Sequence, residues 1–210
     1  MRLIPGMGHR TPDPRKVHGT AGAGLVDATW AANPTVARIG RDGEIRTARL
    51  LNDHRPFNTA VLHDLAVPAA GYTANIDHAV VSGNRVLLID TKAWRSGRYW
   101  TLLGGTRRGW QRFGHADTRT PAMARDRIAR MLASRGIAAT VLTPLVAVWP
   151  SSPTGTVSVR WLRMHGCTPI AANALPRRIR RIIGNHPADP RVLNALTELV
   201  GRTGQPTRIR

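Results

Sequence analysis

No feature constrains this chain more than the two apolar runs that flank Gly83-Asn84. Asn75-Ile76-Asp77-His78-Ala79-Val80-Val81 comes before the pair, and Arg85-Val86-Leu87-Leu88-Ile89-Asp90-Thr91-Lys92 comes after it. Gly-Asn favours a two-residue hairpin loop, which fixes the register: Val81 falls opposite Val86, and Asp77 opposite Asp90. Ala79, Val81, Val86 and Leu88 then form one face and Val80, Leu87 and Ile89 the other. With both faces apolar, the pair belongs at the centre of a sheet, its polar end at an edge of the core.

Turn residues and apolar spacing organise the rest. Residues 1–35, rich in Pro, Gly, His and Arg, read as a mostly irregular arm. Ile45, Ala48 and Leu51 recur at helical spacing, so a first helix is expected over 41–54. Strands follow at 60–67, 74–81 and 85–92, then a hairpin around Gly104-Gly105-Thr106. Pro121 opens a second helix to Arg135, ended by Gly136. Ala139 to Trp149 reads as one buried strand and Val157 to Met164 as another; helices are expected at 177–184 and 189–200, before a frayed tail. The order gives an α/β domain with a mixed sheet. Three parts are expected: the arm, a main domain over 36–165, and an Arg-rich helical extension over 166–210.

No run of eighteen apolar residues occurs, and polar residues follow Met1 to Gly6, so neither a membrane span nor a secretory address is expected. The single cysteine, Cys167, excludes a disulfide framework and a cysteine-rich zinc site. A cytoplasmic protein is the expectation. The formal charge is +19, with a net +3 over residues 1–92 and +16 over 93–210. Drift towards Arg explains why 29 of the 31 basic residues are Arg, but not the excess of cations. Such a field suits a polyanion, and Arg forks phosphate bidentately. An anionic membrane fits less well, since basic residues there alternate with an exposed apolar face.

Opposed Cβ atoms lie about 4.5–5.5 Å apart, so Asp77 and Asp90 repel one another and need a compensating group. Lys92, one of two lysines, shares a face with Asp90, and its own opposite is Asn75. Two carboxylates and a lysine at the end of buried strands are what Mg²⁺-dependent phosphodiester cleavage requires: hard oxygen ligands and a compact cation beside the developing charge. The other reading makes the acids strand-end residues bonded to turn amides, with Lys92 pairing one of them.

Gly40-Arg41-Asp42-Gly43-Glu44, Ile76-Asp77-His78-Ala79-Val80-Val81 and Leu88-Ile89-Asp90-Thr91-Lys92-Ala93-Trp94 resemble successive blocks of the NERD (nuclease-related) domain, a branch of the PD-(D/E)xK nuclease-like superfamily. The resemblance spans roughly residues 36–150. It implies a restriction-endonuclease-like core, a mixed sheet flanked by helices, with DNA favoured over RNA as the partner. Asp77, Asp90, Lys92 and Glu44 would then be catalytic, and Mg²⁺ or Mn²⁺ would sit on Asp77, Asp90 and the Thr91 carbonyl. Many members carry Asn-Pro and a following Gln at the later helix; here the stretch is Thr120-Pro121-Ala122-Met123-Ala124-Arg125, which lacks the amide. A phosphate contact would pass to Arg125 or Arg127, and a rival reading is a nucleic-acid-binding module that keeps the fold without turnover.

Candidate phosphate contacts are Arg95, Arg98, Arg107, Arg108 and Arg125, with the cluster Arg177, Arg178, Arg180 and Arg181. Trp94, Trp100 and Trp110 read as core or rim, core being favoured, with base stacking as the alternative. His78 is expected to pack on the opposite face from Asp77, and His63-Asp64 to lie at the surface or a strand edge. Gly19 to Gly24 resembles half a phosphate loop but lacks the preceding strand and the following Gly-Lys.

Overall fold

A computed structural model of the chain describes residues 16–22, 34–68, 74–116 and 119–201. Its centre is the hairpin of β3 (Asn75–Ser82) and β4 (Arg85–Trp94), paired Val81 to Val86 and His78 to Ile89 as the loop dictates. β2 (Ala60–Ala66) runs antiparallel to β3, and β1 (Val17–His18) parallel to β2. On the other side, β9 (Leu145–Pro150) is parallel to β4, and β11 (Thr168–Ala171) parallel to β9. β8 (Thr140–Val141) pairs with the start of β4, so the sheet is mixed and seven-stranded.

The two apolar faces of the hairpin are covered by different helices. α1 (Pro34–His54) and α3 (Leu175–Ile182) bring Leu51, Leu175 and Ile179 onto Val61, Val80, Leu87 and Ile89. On the opposite face α2 (Thr120–Ser134) and α4 (Pro190–Thr197) bring Ile128, Leu132, Val192 and Leu196 onto Val81, Val86 and Leu88. Each such Leu, Ile or Val side chain contributes about 1.5–3 kcal/mol on full burial, so this double coverage makes the hairpin the anchor of the fold. The expected α/β class, with a mixed sheet, flanking helices and a helical C-terminal part, is what the chain adopts.

A second sheet, β10 (Val157–Trp161), β5 (Gly97–Leu102), β6 (Gly105–Arg108) and β7 (Gln111–Arg112), grows from the end of β4. Its inner face packs Tyr99 and Val159 with Trp94, Val146 and Val148 of the main sheet. The C-terminal segment returns to β2: Leu199 O accepts from Ala66 N, and Gly201 N donates to Asp64 O.

Several boundaries depart from expectation. α1 begins at Pro34, seven residues early, because proline suits the first helical turn. The strand expected over 139–149 is two strands, interrupted before Pro144, whose missing N–H cannot join a ladder. β11 went unforeseen. The arm supplies β1 within its described part; the rest of it lies outside the described residues, as do 202–210 and Ala23-Gly24 of the glycine run. Among the described residues no helix is long and apolar enough to cross a membrane.

Candidate active site

Three neighbouring strands present acids at one level. The pairs His63–His78 and Leu65–Ile76 bracket Asp64 opposite Asp77, and the pair His78–Ile89 sets Asp77 beside Asp90. At this level side chains take over from the ladder: Asp77 Oδ2 accepts from Thr91 N at 2.5 Å, and Asp64 Oδ1 from Asn75 Nδ2 at 2.7 Å. Asp64 has a φ of +56°, a left-handed conformation that Asp tolerates better than most residues. Lys92 Nζ lies 2.6 Å from Asp90 Oδ2. That buried oxygen is held by the Lys92 ammonium. From α1, Glu44 turns inward on the stripe of Ala48 and Leu51 and accepts the Gly22 N–H.

Burial and neighbouring charge raise two of these acids, Glu44 and Asp77. Burial pushes the Glu44 carboxyl up to about 7, with help from Asp64 and Asp90 and against the pull of Lys92. Burial, then Asp90 and Glu44, hold Asp77 well above the usual carboxylate range; Lys92 and the Thr91 N–H only partly offset them. Burial would depress the Lys92 ammonium, but Asp90, Asp77 and Glu44 outweigh it and the net shift is upward. A cluster so arranged favours any added positive charge.

Behind the acids runs a buried polar chain. The Thr91 hydroxyl lies 3.1 Å from Thr47 Oγ1 and 3.3 Å from His78 Nε2. His78 Nδ1 is 2.9 Å from His63 Nδ1, and His63 Nε2 is 3.3 Å from Asn52 Oδ1. Two facing Nδ1 atoms bond only when one is bare, so at least one imidazole is neutral. Burial lowers both, His63 to about 4. Trp149 Nε1 closes the chain on Thr47 Oγ1 at 2.7 Å. His78 thus packs where expected, whereas the surface placement of His63 and Asp64 is corrected: they are 2 % and 5 % exposed.

Of the candidate phosphate contacts, Arg95 and Arg98 are exposed where β4 passes into β5. Arg107 and Arg108 are half-buried on β6, with Arg108 donating to Gln111 Oε1. Arg125 is tied to Asp126 at 2.7 Å. Arg177, Arg178, Arg180 and Arg181 are exposed on α3, and three of them line a groove of about 520 Å³ with Leu50 and His54. Trp94 is core and Trp100 half-buried, but the core reading of Trp110 is corrected, since it is 86 % exposed.

The sequence reading missed Asp64 and the arginines of α1. Arg38, Arg46 and Arg49 line a groove of about 780 Å³ with Gly43, Ala93 and Trp149, and the Arg46 guanidinium stands 4.0 Å above the Trp149 ring. Their spacing along one helix beside Glu44 was the available signal. Compared with known proteins, the chain matches a family model, the nuclease-related domain, over residues 39–147, just over half its length. No curated protein and no solved structure matches it.

Proposed function

The chain belongs to the nuclease-related domain family, and from that premise we propose that it hydrolyses phosphodiester bonds of DNA in the cytoplasm, with Mg²⁺ or Mn²⁺ as cofactor. The observation that carries this reading is the meeting of Asp77, Asp90 and Lys92 at one level of β3 and β4, with Lys92 2.6 Å from Asp90.

The donor set suits a hard cation. It offers carboxylate oxygens that repel one another, including the buried Asp90 Oδ2, whose charge the Lys92 ammonium offsets. Among the described residues no three His, Cys, Asp or Glu are spaced as a ready metal cage, and Mg²⁺ usually takes one or two carboxylates and keeps several waters. Asp77 and Asp90 would hold the ion, with the Thr91 carbonyl as a further ligand; when bound it polarises the phosphate and acidifies a water. Asp90 holds the partly exposed Lys92 ammonium where it can donate to a phosphate oxygen as charge develops. Glu44 assists from α1, and the arginines of α1, α3 and the second sheet grip the backbone.

Supercoiled and linear DNA incubated with the purified chain, with Mg²⁺ or with EDTA, tests the reading. Cleavage should require the metal and fall on the order of 10²–10³-fold in Asp77→Asn, Asp90→Ala and Lys92→Ala. Asp77→Asn should bind DNA as well as the parent or better, having lost a repulsive charge. Cleavage that survives Asp90→Ala and Lys92→Ala would remove the site. Two observations favour the rival module without turnover: both aspartates are engaged within the protein, and α2 lacks the family's amide. Its mark would be equal DNA binding in Mg²⁺ and EDTA with no cleavage in either.

A further inference from the structure

We propose that the outer face of the second sheet is a stacking platform for the unpaired bases of single-stranded nucleic acid, separate from the acid cluster. Trp100 on β5 and Trp161 on β10 are register partners, and Trp110 stands in the turn between β6 and β7. With Arg98 and Gly109 they line a recess of about 360 Å³. Trp110 is 86 % exposed and Trp161 65 %. The Trp100 and Trp110 rings meet edge to face at 6.0 Å.

The recess is held open by its own bonds. Trp100 Nε1 donates to Gly109 O at 2.8 Å, which fixes that ring, and Arg107 donates to Trp110 O at 3.1 Å, which holds the turn that carries Trp110. The Arg160 guanidinium lies 5.2 Å over the Trp161 ring. Large aromatic side chains left in water at one recess mark a binding site.

Charge selects the occupant. Residues 95–116 and 151–171 hold seven arginines and no acid. A cationic ligand would find rings but no carboxylate and would be repelled by Arg98. A flat aromatic ligand that carries negative charge meets both features, and an unpaired nucleotide is such a ligand. Duplex DNA offers phosphates but hides its base faces in the stack. The platform is also close to the acids along the chain: Trp100 is eight residues beyond Lys92, no more than about 26 Å of extended strand.

Binding is measured in EDTA, so that the result does not depend on cleavage. The parent, Trp110→Ala, Trp161→Ala and Trp110→Phe are compared by anisotropy on a labelled single-stranded 20-mer (about 20 nucleotides), its abasic counterpart and a blunt duplex. Each alanine variant should lose roughly 5–150-fold in affinity for the single strand. Both should bind the abasic strand and the duplex like the parent, and Trp110→Phe should recover most of the loss. Circular dichroism and thermal melts confirm that the variants fold. Parent-like binding of the 20-mer by both alanine variants would overturn the platform, as would equal losses on all three ligands. Sedimentation with phosphatidylserine vesicles that depends on Trp110 and Trp161 while the 20-mer is unaffected would reassign the face to a membrane.

Discussion

Across β2, β3 and β4 the main sheet sets Asp64, Asp77 and Asp90 at one level, with Lys92 against Asp90, whereas the second sheet carries five arginines and no acid on strands that leave two tryptophans in water. The first arrangement costs desolvation and is sustained by helices packed on both faces of the hairpin. The second costs exposed aromatic surface and is sustained only by a small inner cluster around Tyr99 and Trp94. Stability and the acids therefore reside in one sheet, and accessible surface chemistry in the other. The division differs from a simple split between the halves of the chain, because α1 adds arginines to a groove that reaches Ala93 at the end of β4.

The largest expected effect tests where stability resides. Ile89→Ala, at the centre of the main sheet, should cost about 2–5 kcal/mol in urea unfolding. Leu103→Ser, at a residue 98 % exposed on the tip of the second sheet, should stay within about 0.5 kcal/mol. A comparable loss at Leu103 would break the comparison.

Titration sharpens it. His63 is held near 4 against 6.5 in the unfolded chain, so its neutral form is favoured by folding and stability rises with pH across that window. Glu44 is held near 7 against 4.5, so its protonated form is favoured and stability falls as pH rises from about 4.5 to 7. Each contribution is about 3 kcal/mol and the signs oppose. Asp77 acts in the same sense as Glu44, and His78 in the same sense as His63. Glu44→Gln should therefore steepen the rise in stability with pH relative to the parent, and His63→Gln should tilt the curve the other way, as followed by melts from pH 4 to 7.5 (roughly the span between those ordinary and shifted values). Identical curves for the two variants would mean that these groups do not oppose.

The smallest effect concerns the basic exterior. Replacing Arg177, Arg178, Arg180 and Arg181 with Gln should weaken DNA binding and flatten its salt dependence by up to roughly one unit of log–log slope per lost phosphate contact. An unaltered slope would make α3 a solvated face and leave the grip to α1 and the second sheet.

What could be read from the sequence was what two residues and a periodicity determine. Gly83-Asn84 and the apolar alternation fixed the pairing of β3 with β4, and with it the meeting of Asp77 and Asp90. Asp64 escaped because its left-handed backbone breaks the alternation of β2 at the residue that matters. Trp161 escaped because a register irregularity between Ser158 and Trp161 disrupts the period of β10. β11 is four residues long and includes Pro169, so neither length nor propensity marks it; it exists because β9 offers an open parallel edge.

The bonds from Leu199 and Gly201 to the edge of β2 have a consequence for how the chain is made. Residue 64 leaves the ribosome long before residue 201, and no local contact can substitute for a partner that does not yet exist. The hairpin and its helices can assemble as they emerge, but the strand edge beside Asp64 stays unpaired until synthesis has nearly passed through every described residue. A nascent chain stalled before α4 would hold Asp64 on an open edge, where a chaperone or a neighbouring chain meets it first.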